Sequence, residues 1–333
     1  MRLVKEAGTI PRPWRVKPEL PFVLFLTVVL VAYVGMLLLM VGANVLTVTW
    51  GDLGKILKDD DILRSIKLTV VTCTATAILS VLVAVPLAYL LSRYQFRGRA
   101  FIDTLLDIPI LLPPLIVGLS LLILFNRMSP ATCCWMMAGG LLLAALVGFV
   151  LRGKGGGRAI VPGALIVFAG MFGIGAVMMK GSGSLEEVSS GMGFPMTFHP
   201  LGIVLAQFPV AAAFAVRTMR TTFDQISPRY EEVAMTLGCH RGQAFSRVVL
   251  PLAGKGMVAA GTMAWARALG EFGPVLIFAG ATKGRTEVLA TSVFLEINIG
   301  NLPGAAAISL LMIVLAVVTL LLVRFFVGRG GAI

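Results

Sequence analysis

Several runs of about 20 apolar residues divide this chain, and each is long enough, as a helix, to cross a hydrocarbon core of about 30 Å. Such runs commit most of the sequence to a bundle of membrane-spanning helices and leave little for soluble domains. Composition agrees: of 333 residues 58% are hydrophobic and 13% charged, with a mean hydropathy of +0.94, where a soluble protein carries about twice that charge. The fold class expected is an all-α polytopic membrane protein. A net charge of +12 does not point to nucleic acid. The positive residues sit in short loops between apolar spans and form no basic face interleaved with aromatics. Cys73, Cys133, Cys134 and Cys239 show no CxxC spacing or pairing pattern, so they read as small packing residues.

Residues 1–21 form a basic, proline-rich tail before a span at 22–43. That span is too long for the apolar region of a signal peptide, and no small-x-small cleavage site closes it. A polar segment, 44–67, carries Asp59, Asp60 and Asp61; a Thr- and Ala-rich span at 68–91 and a basic loop at 92–99 follow. The third span, 104–125, contains Asp107-Ile-Pro-Ile-Leu-Leu-Pro-Pro114, whose prolines remove backbone donors and predict a kinked helix. Two further apolar runs, 135–151 and 159–179, flank Arg152-Gly-Lys154-Gly-Gly-Gly-Arg158 and are predicted to form a transmembrane hairpin within residues 131–180. Residues 181–193, with Glu186 and Glu187, read as a flexible external loop. Spans at 201–219, 256–280 and 305–327 complete a count of eight, with a polar segment at 281–304 and a short tail at 328–333. Of the 28 Lys and Arg, 19 fall on the side holding both termini and the 220–252 loop, 8 on the other, and Arg267 within a span. The positive-inside rule places the first side in the cytoplasm.

The longest polar interval between two apolar halves is SPRYEEVAMTLGCHRGQAFSRVVLP, residues 227–251. Ser227 suits a helix cap, Pro228 the first helical position, and Glu231 and Glu232 the first turn, where the helix dipole favours acidic groups. Tyr230, Val233, Ala234 and Leu237 recur at i, i+3, i+4 and i+7 as one apolar stripe, and Gly238 is a natural stop. A second short segment, 243–250, runs up to Pro251. The interval is predicted to be a helix-turn-helix on the membrane surface, one face buried and another exposed.

These residues resemble the EAA loop of ABC importer permeases. Glu232-Val233-Ala234, Gly238 four residues after Ala234, and Val248-Val249-Leu250-Pro251 follow that family's Glu-Ala-Ala, Gly and Ile-x-Leu-Pro pattern, with Val233 for Ala and Val248 for Ile. The likeness extends over residues 65–125, with their proline-rich run after a cytoplasmic loop. Residues 126–200 depart from it, since most relatives have only a short external segment there. The resemblance implies a type I ABC importer permease bundle, here of about eight transmembrane helices including the inserted hairpin. It implies that the 220–252 loop is a coupling helix seated in a groove of a cytoplasmic ATPase. Glu231, Glu232, Val233, Ala234, Gly238, Leu250 and Pro251 are the coupling residues on that reading. It also implies two ATPase subunits, an extracytoplasmic solute-binding protein and a dimer of identical chains within membrane lipid. ATP and Mg would be bound by the partner ATPase, and no cofactor is expected in this chain.

Within a span, Arg267 and Glu271 stand four apart on one helical face in AWARALGEFGPVLIFAG, where each could neutralise the other. Ionisable groups in a span are costly and face the bundle interior or a water path. Two readings stay open: a lining of the translocation path in which Arg267 attracts an oxyanion, and an ion pair that holds helices together. Gly270 and Gly273 permit close approach or a local break, and Pro274 adds a kink. Residues 266–273 with Phe278-Ala279-Gly280 resemble the molybdate and sulfate branch of these permeases, tungstate permeases being similar, and 267–273 looks closest to the molybdate group. In that branch the choice of anion rests mainly with the external binding protein.

Gly148-Phe-Val-Leu-Arg-Gly153-Lys154 matches the first seven positions of a phosphate-binding P-loop, but Gly155 stands where Ser or Thr is needed and no strand precedes it. ATP hydrolysis is therefore assigned to a separate subunit, and the chain is not expected to be an enzyme. His199 and His240 are far apart, and the sequence holds no HExxH helix or Gly-x-Ser-x-Gly turn, which disfavours an intramembrane enzyme. A secondary transporter or channel working alone would favour matching discontinuous spans in two halves, which the sequence does not display. Asp103 and Asp107, one turn apart, read as helix-start charges.

Overall fold

The computed structural model describes residues 20–48, 58–94, 99–150, 183–191 and 195–329, with isolated positions at 54, 56, 169–171, 173, 174 and 177. All described regular structure is helical. The chain divides into two units, residues 1–47 and 48–333. In the first, α1 (Leu20–Thr47) is apolar on every face. Thr27, Asn44 and Thr47 bond back to carbonyls three or four residues earlier, as polar groups in hydrocarbon require.

The second unit begins with α2 (Asp60–Arg93), α3 (Arg99–Leu111), α4 (Pro114–Arg127) and α5 (Pro130–Val150). After α6 (Leu185–Gly191) come α7 (Pro200–Gln225), α8 (Arg229–Thr236), α9 (Arg241–Leu252), α10 (Gly254–Leu269), α11 (Gly273–Phe278), α12 (Leu289–Asn298) and α13 (Leu302–Arg329). Among the described residues four helices, α1, α2, α7 and α13, are long and apolar enough to cross a membrane, or up to six spans if two bent pairs each count as one. The first arm of the expected hairpin is α5. Its basic turn, most of its second arm, and the two chain ends (1–19 and 330–333) lie outside the described residues.

The structure departs from the sequence expectation in several places, each for a local reason. The kink expected in 104–125 is a full break, with α3 and α4 at 105°. Pro113 and Pro114 supply no amide hydrogens, and Pro113 is extended at φ −53 and ψ 132, so the helix stops and restarts. The segment 44–67 is not wholly polar loop: α2 starts at Asp60, where the Asp59 carboxylate accepts the Asp61 N–H at 3.0 Å. Within 281–304 lies α12, which buries Leu289, Thr291 and Ser292. Residues 185–191 form α6 where a flexible loop was expected, because Glu186 accepts the N–H groups of Met196 and Thr197 and Leu185 donates to the Met128 carbonyl.

The core joins α2, α7 and α10. The buried face of α2 includes Thr69, Thr72, Cys73, Thr76, Ala77, Ser80, Ala84 and Ala88, small residues three or four apart. Of these, Cys73, Ala77, Ala84 and Ala88 share one buried cluster with Ala211 and Ala215 of α7 and Ala260, Ala264 and Ala268 of α10. Lipid supplies no hydrophobic drive between helices, so close backbone approach is what such residues contribute. Backbones also approach closely at the breaks. A Cβ on Gly118 of α4 would stand 2.7 Å from the Cα of Pro274 in α11, whereas one on Gly261 of α10 would meet only Val81 Cγ2 at 3.5 Å. Gly118→Ala is expected to cost about 1–3 kcal/mol and to lower the melting temperature in detergent. Gly261→Ala should be neutral or stabilising by up to about 1 kcal/mol. Equal melting temperatures for the two variants would contradict this packing.

Candidate functional site

At the end of α7 the chain turns through residues 226–228 into α8. The helix begins one residue later than expected, with Pro228 at the cap position. Ser227 still serves the start: its Oγ accepts the Arg229 N–H at 3.4 Å and its carbonyl the Tyr230 N–H at 3.2 Å. At the other end Cys239 N–H donates to the Ala234 carbonyl and Gly238 N–H to the Met235 carbonyl, both at 3.1 Å. This paired closure needs a left-handed residue between the helices, and Gly238 supplies it at φ +90. A Cβ there would meet nothing within 4 Å, so backbone torsion and not obstruction makes glycine the fitting residue. His240 then starts α9 with a reciprocal cap, its Nδ1 accepting the Gln243 N–H while its own N–H donates to Gln243 Oε1. A π-helical turn, Phe245–Val249, precedes Leu250 and Pro251, and Ala253 marks the 69° bend into α10.

This elbow presents its apolar stripe outward. Only Ala234 is buried, whereas Tyr230, Val233 and Leu237 are 56%, 57% and 80% exposed, and Glu232 is exposed beside them. A cluster of large apolar side chains left open on a well-bonded elbow has the character of a docking face. Glu231 does not share it. Its Oε1 accepts from Arg93 Nε at 2.6 Å and its Oε2 from the Tyr89 hydroxyl at 2.7 Å, so it points into the protein. The Tyr89 ring lies between Phe223 and Phe245, with centroids at 5.7 and 4.5 Å. Arg241 of α9 donates to the Tyr94 hydroxyl at 3.2 Å. Sequence reasoning missed Tyr89 and Arg93 as partners of this loop, because 142 and 138 residues separate them from Glu231.

Next to the elbow, Asp103 and Asp107 prove to be interhelical partners and not merely helix-start charges. Arg220 Nη1 is 2.6 Å from Asp103 Oδ1, and Arg217 Nη2 is 2.7 Å from Asp107 Oδ2. These pairs join α3 to α7.

Deeper in the bundle, Arg267 Nη2 lies 2.8 Å from Glu271 Oε1. Glu271 is 1% exposed, and the side chain of Arg267 is one-third exposed. Both belong to the stretch where α10 gives way to the Gly270–Phe272 break, so the pair by itself bridges no two helices. The Arg267 guanidinium does lie 5.9 Å from the ring centroid of Phe214 in α7. A Cβ on Gly270 would have its nearest neighbour at 3.8 Å, while one on Gly273 would sit 3.2 Å from the Leu115 amide nitrogen. Close approach is therefore built on Gly273, not Gly270. A residue not singled out from the sequence, Gln207, ties three helices: its Oε1 accepts from Thr76 at 3.0 Å and its Nε2 donates to the Ala268 carbonyl at 3.2 Å. Its amide within the apolar run GIVLAQFPVAAA was the available signal.

The profile of the family described as binding-protein-dependent transport system inner membrane component matches residues 80–329. The chain is 26% identical over 283 residues to the sulfate transport system permease protein CysT of Escherichia coli strain K12, across 85% of this chain and 83% of that protein. It is 30% identical over 315 residues to a probable molybdenum ABC transporter permease protein of Haloferax volcanii, across 95% and 91%. Its fold is similar to that of a bacterial alginate ABC transporter solved in complex with an alginate pentasaccharide-bound periplasmic protein. There the TM-score is 0.61 at 16% identity, over 94% of this chain and 95% of that one.

Gln207→Leu would leave Thr76 and the Ala268 carbonyl without this buried partner. The expected cost is about 1 kcal/mol, the scale of interhelical hydrogen bonds in membranes, measured as a fall in the detergent melting temperature.

Proposed function

Because the chain belongs to the family of binding-protein-dependent transport system inner membrane components, we propose that it is the permease subunit of an ATP-binding-cassette importer for a tetrahedral oxyanion. Molybdate is the first choice, and sulfate or tungstate are the alternatives. The observation that carries the reading is the elbow of α8 and α9, a rigidly capped pair of short helices whose large apolar side chains face outward. Such a surface suits a groove in a separate ATPase. Two ATPase subunits, an extracytoplasmic solute-binding protein and a second copy of this chain complete the assembly. ATP and Mg belong to the ATPase. On the charge bias of its loops, the protein is a multi-pass component of the cell membrane with both termini and the elbow cytoplasmic.

The mechanism is alternating access. Closure of the ATPase dimer on ATP draws its two grooves together, the seated elbows follow, and the spans rock so that the cavity opens outward; hydrolysis resets it. Glu232, Val233, Ala234 and Gly238 carry the coupling, and Leu250 and Pro251 sit at the bend where the elbow enters α10. Arg267, Gly270, Glu271 and Gly273 lie along the path. Arg267 is partly neutralised by Glu271, so an anion passing it is attracted without being retained. The oxyanion class is supported by the sulfate and molybdenum permeases this chain is similar to, and molybdate by the likeness of residues 267–273 to that group.

Gly238→Asp is expected to abolish ATP-driven uptake in proteoliposomes while the chain still inserts. Calorimetry on the cognate binding protein should show molybdate retained over sulfate. Normal uptake by the variant, or uphill uptake by the purified chain without an ATPase, refutes the assignment; retention of sulfate alone moves it to that alternative.

A further inference from the structure

We propose that Arg93 is a positioning residue for coupling: its guanidinium fastens the elbow to the inner ends of α2 and α7, and Glu231 is its counter-charge inside the protein, apart from the face that meets the ATPase. The proposal rests on the importer reading and adds the point at which force enters the bundle.

The guanidinium uses all three of its nitrogens. Nε donates to Glu231 Oε1 at 2.6 Å, Nη1 to the Phe223 carbonyl at 3.1 Å and Nη2 to the Ile226 carbonyl at 2.8 Å. The two carbonyls lie at the end of α7, where the helix dipole favours a cation. The Arg93 and Glu231 side chains are only 10% and 14% exposed, so water competes weakly for either charge. Tyr89 takes the second oxygen of Glu231 at 2.7 Å. Tyr89 and Arg93 are one turn apart on α2, so both holds on the elbow come from a single helix face. Moving α8 without α2 and α7 would leave a charge largely buried and unpaired, which is costly, whereas an exposed pair would yield easily.

Beyond this joint the contacts lead to the path. The 34 residues of α2 make a rod of about 50 Å. At its middle Thr76 holds Gln207, and Gln207 holds the carbonyl of Ala268, three residues before Glu271. Further out, Thr69 accepts the Leu289 N–H at 3.0 Å at the start of α12. Displacement of the elbow is thus passed to the broken stretch that holds Arg267 and Glu271 through partners with few alternatives. Glu231 and Glu232, adjacent in the sequence, have different tasks: one anchors the elbow within its own chain, and the other stands on the docking face.

The test uses the complex of full-length permease, ATPase subunits and cognate binding protein in proteoliposomes, with uptake per ATP hydrolysed as the readout. Arg93→Ala is expected to lower that ratio by about tenfold, in line with loss of a buried charged hydrogen-bond partner, while the ATPase still co-purifies at wild-type stoichiometry. Arg93→Lys keeps the charge without the three directed donors and should recover part of the ratio. Glu231→Ala should behave like Arg93→Ala, and Glu232→Ala should instead release the ATPase. If Arg93→Ala does not insert, Tyr89→Phe and Glu231→Gln remove one bond or one charge and should each lower the ratio about threefold. An unchanged ratio in the variants that insert, or release of the ATPase by Glu231→Ala, overturns the proposal. A wild-type complex without ATP-driven uptake sinks the importer reading and the proposal with it; a coupled wild type beside an unaffected Arg93→Ala sinks the proposal alone.

Discussion

Close approach of α2, α7 and α10 is the constraint on which the rest of this structure depends. Apolar side chains gain little by leaving lipid for one another, so these helices are held by contact between small residues and by the few polar groups that reach across. Ala84, Ala88, Ala211, Ala215, Ala260 and Ala264 bring the backbones together. Gln207 then finds Thr76 and the Ala268 carbonyl within hydrogen-bond reach. Those hydrogen bonds need the helices as close as small residues allow. The packing and the polar tie are therefore one device.

The broken helices follow from the same economy of space. Pro113 and Pro114 end α3 and start α4, and Gly270 to Phe272 separate α10 from α11. Free backbone groups at membrane depth are tolerated only where protein or a water-filled cavity surrounds them. The second break packs on the start of α4, with Gly273 against Leu115 and Pro114, whereas residues 111–116 at the first break are exposed. Glu271, almost wholly buried, sits in the second break with Arg267 beside it. An ionisable group within a span is costly unless paired, and here Arg267 and Glu271 pair with each other.

On the elbow, local and long-range chemistry divide the work. Its shape is local: Gly238 closes α8, His240 and Gln243 open α9, and Ala253 ends the segment at the bend into α10. Its attachment is not. Arg93, Tyr89 and Tyr94 hold it from α2, and the Arg220–Asp103 and Arg217–Asp107 pairs brace α7 against α3 beside it. Local caps shape the outward apolar face, and the long-range pairs fasten it to α2 and α7.

Much of this was legible in the sequence because it depends on period and composition alone. Apolar runs longer than the hydrocarbon core announced the membrane bundle, and the i, i+3, i+4, i+7 stripe with its terminal glycine announced α8 and its stop. The residues of the elbow and of the Arg267–Glu271 pair could be named for the same reason, since each set lies within one short segment. Which way Glu231 points, why Asp103 and Asp107 carry charge, and what Gln207 does were settled by partners more than a hundred residues away, or in Gln207's case also on α10. A helix restricts its own neighbours to three or four positions along the chain. Contacts between helices depend on how their backbones cross, and only the folded bundle sets that.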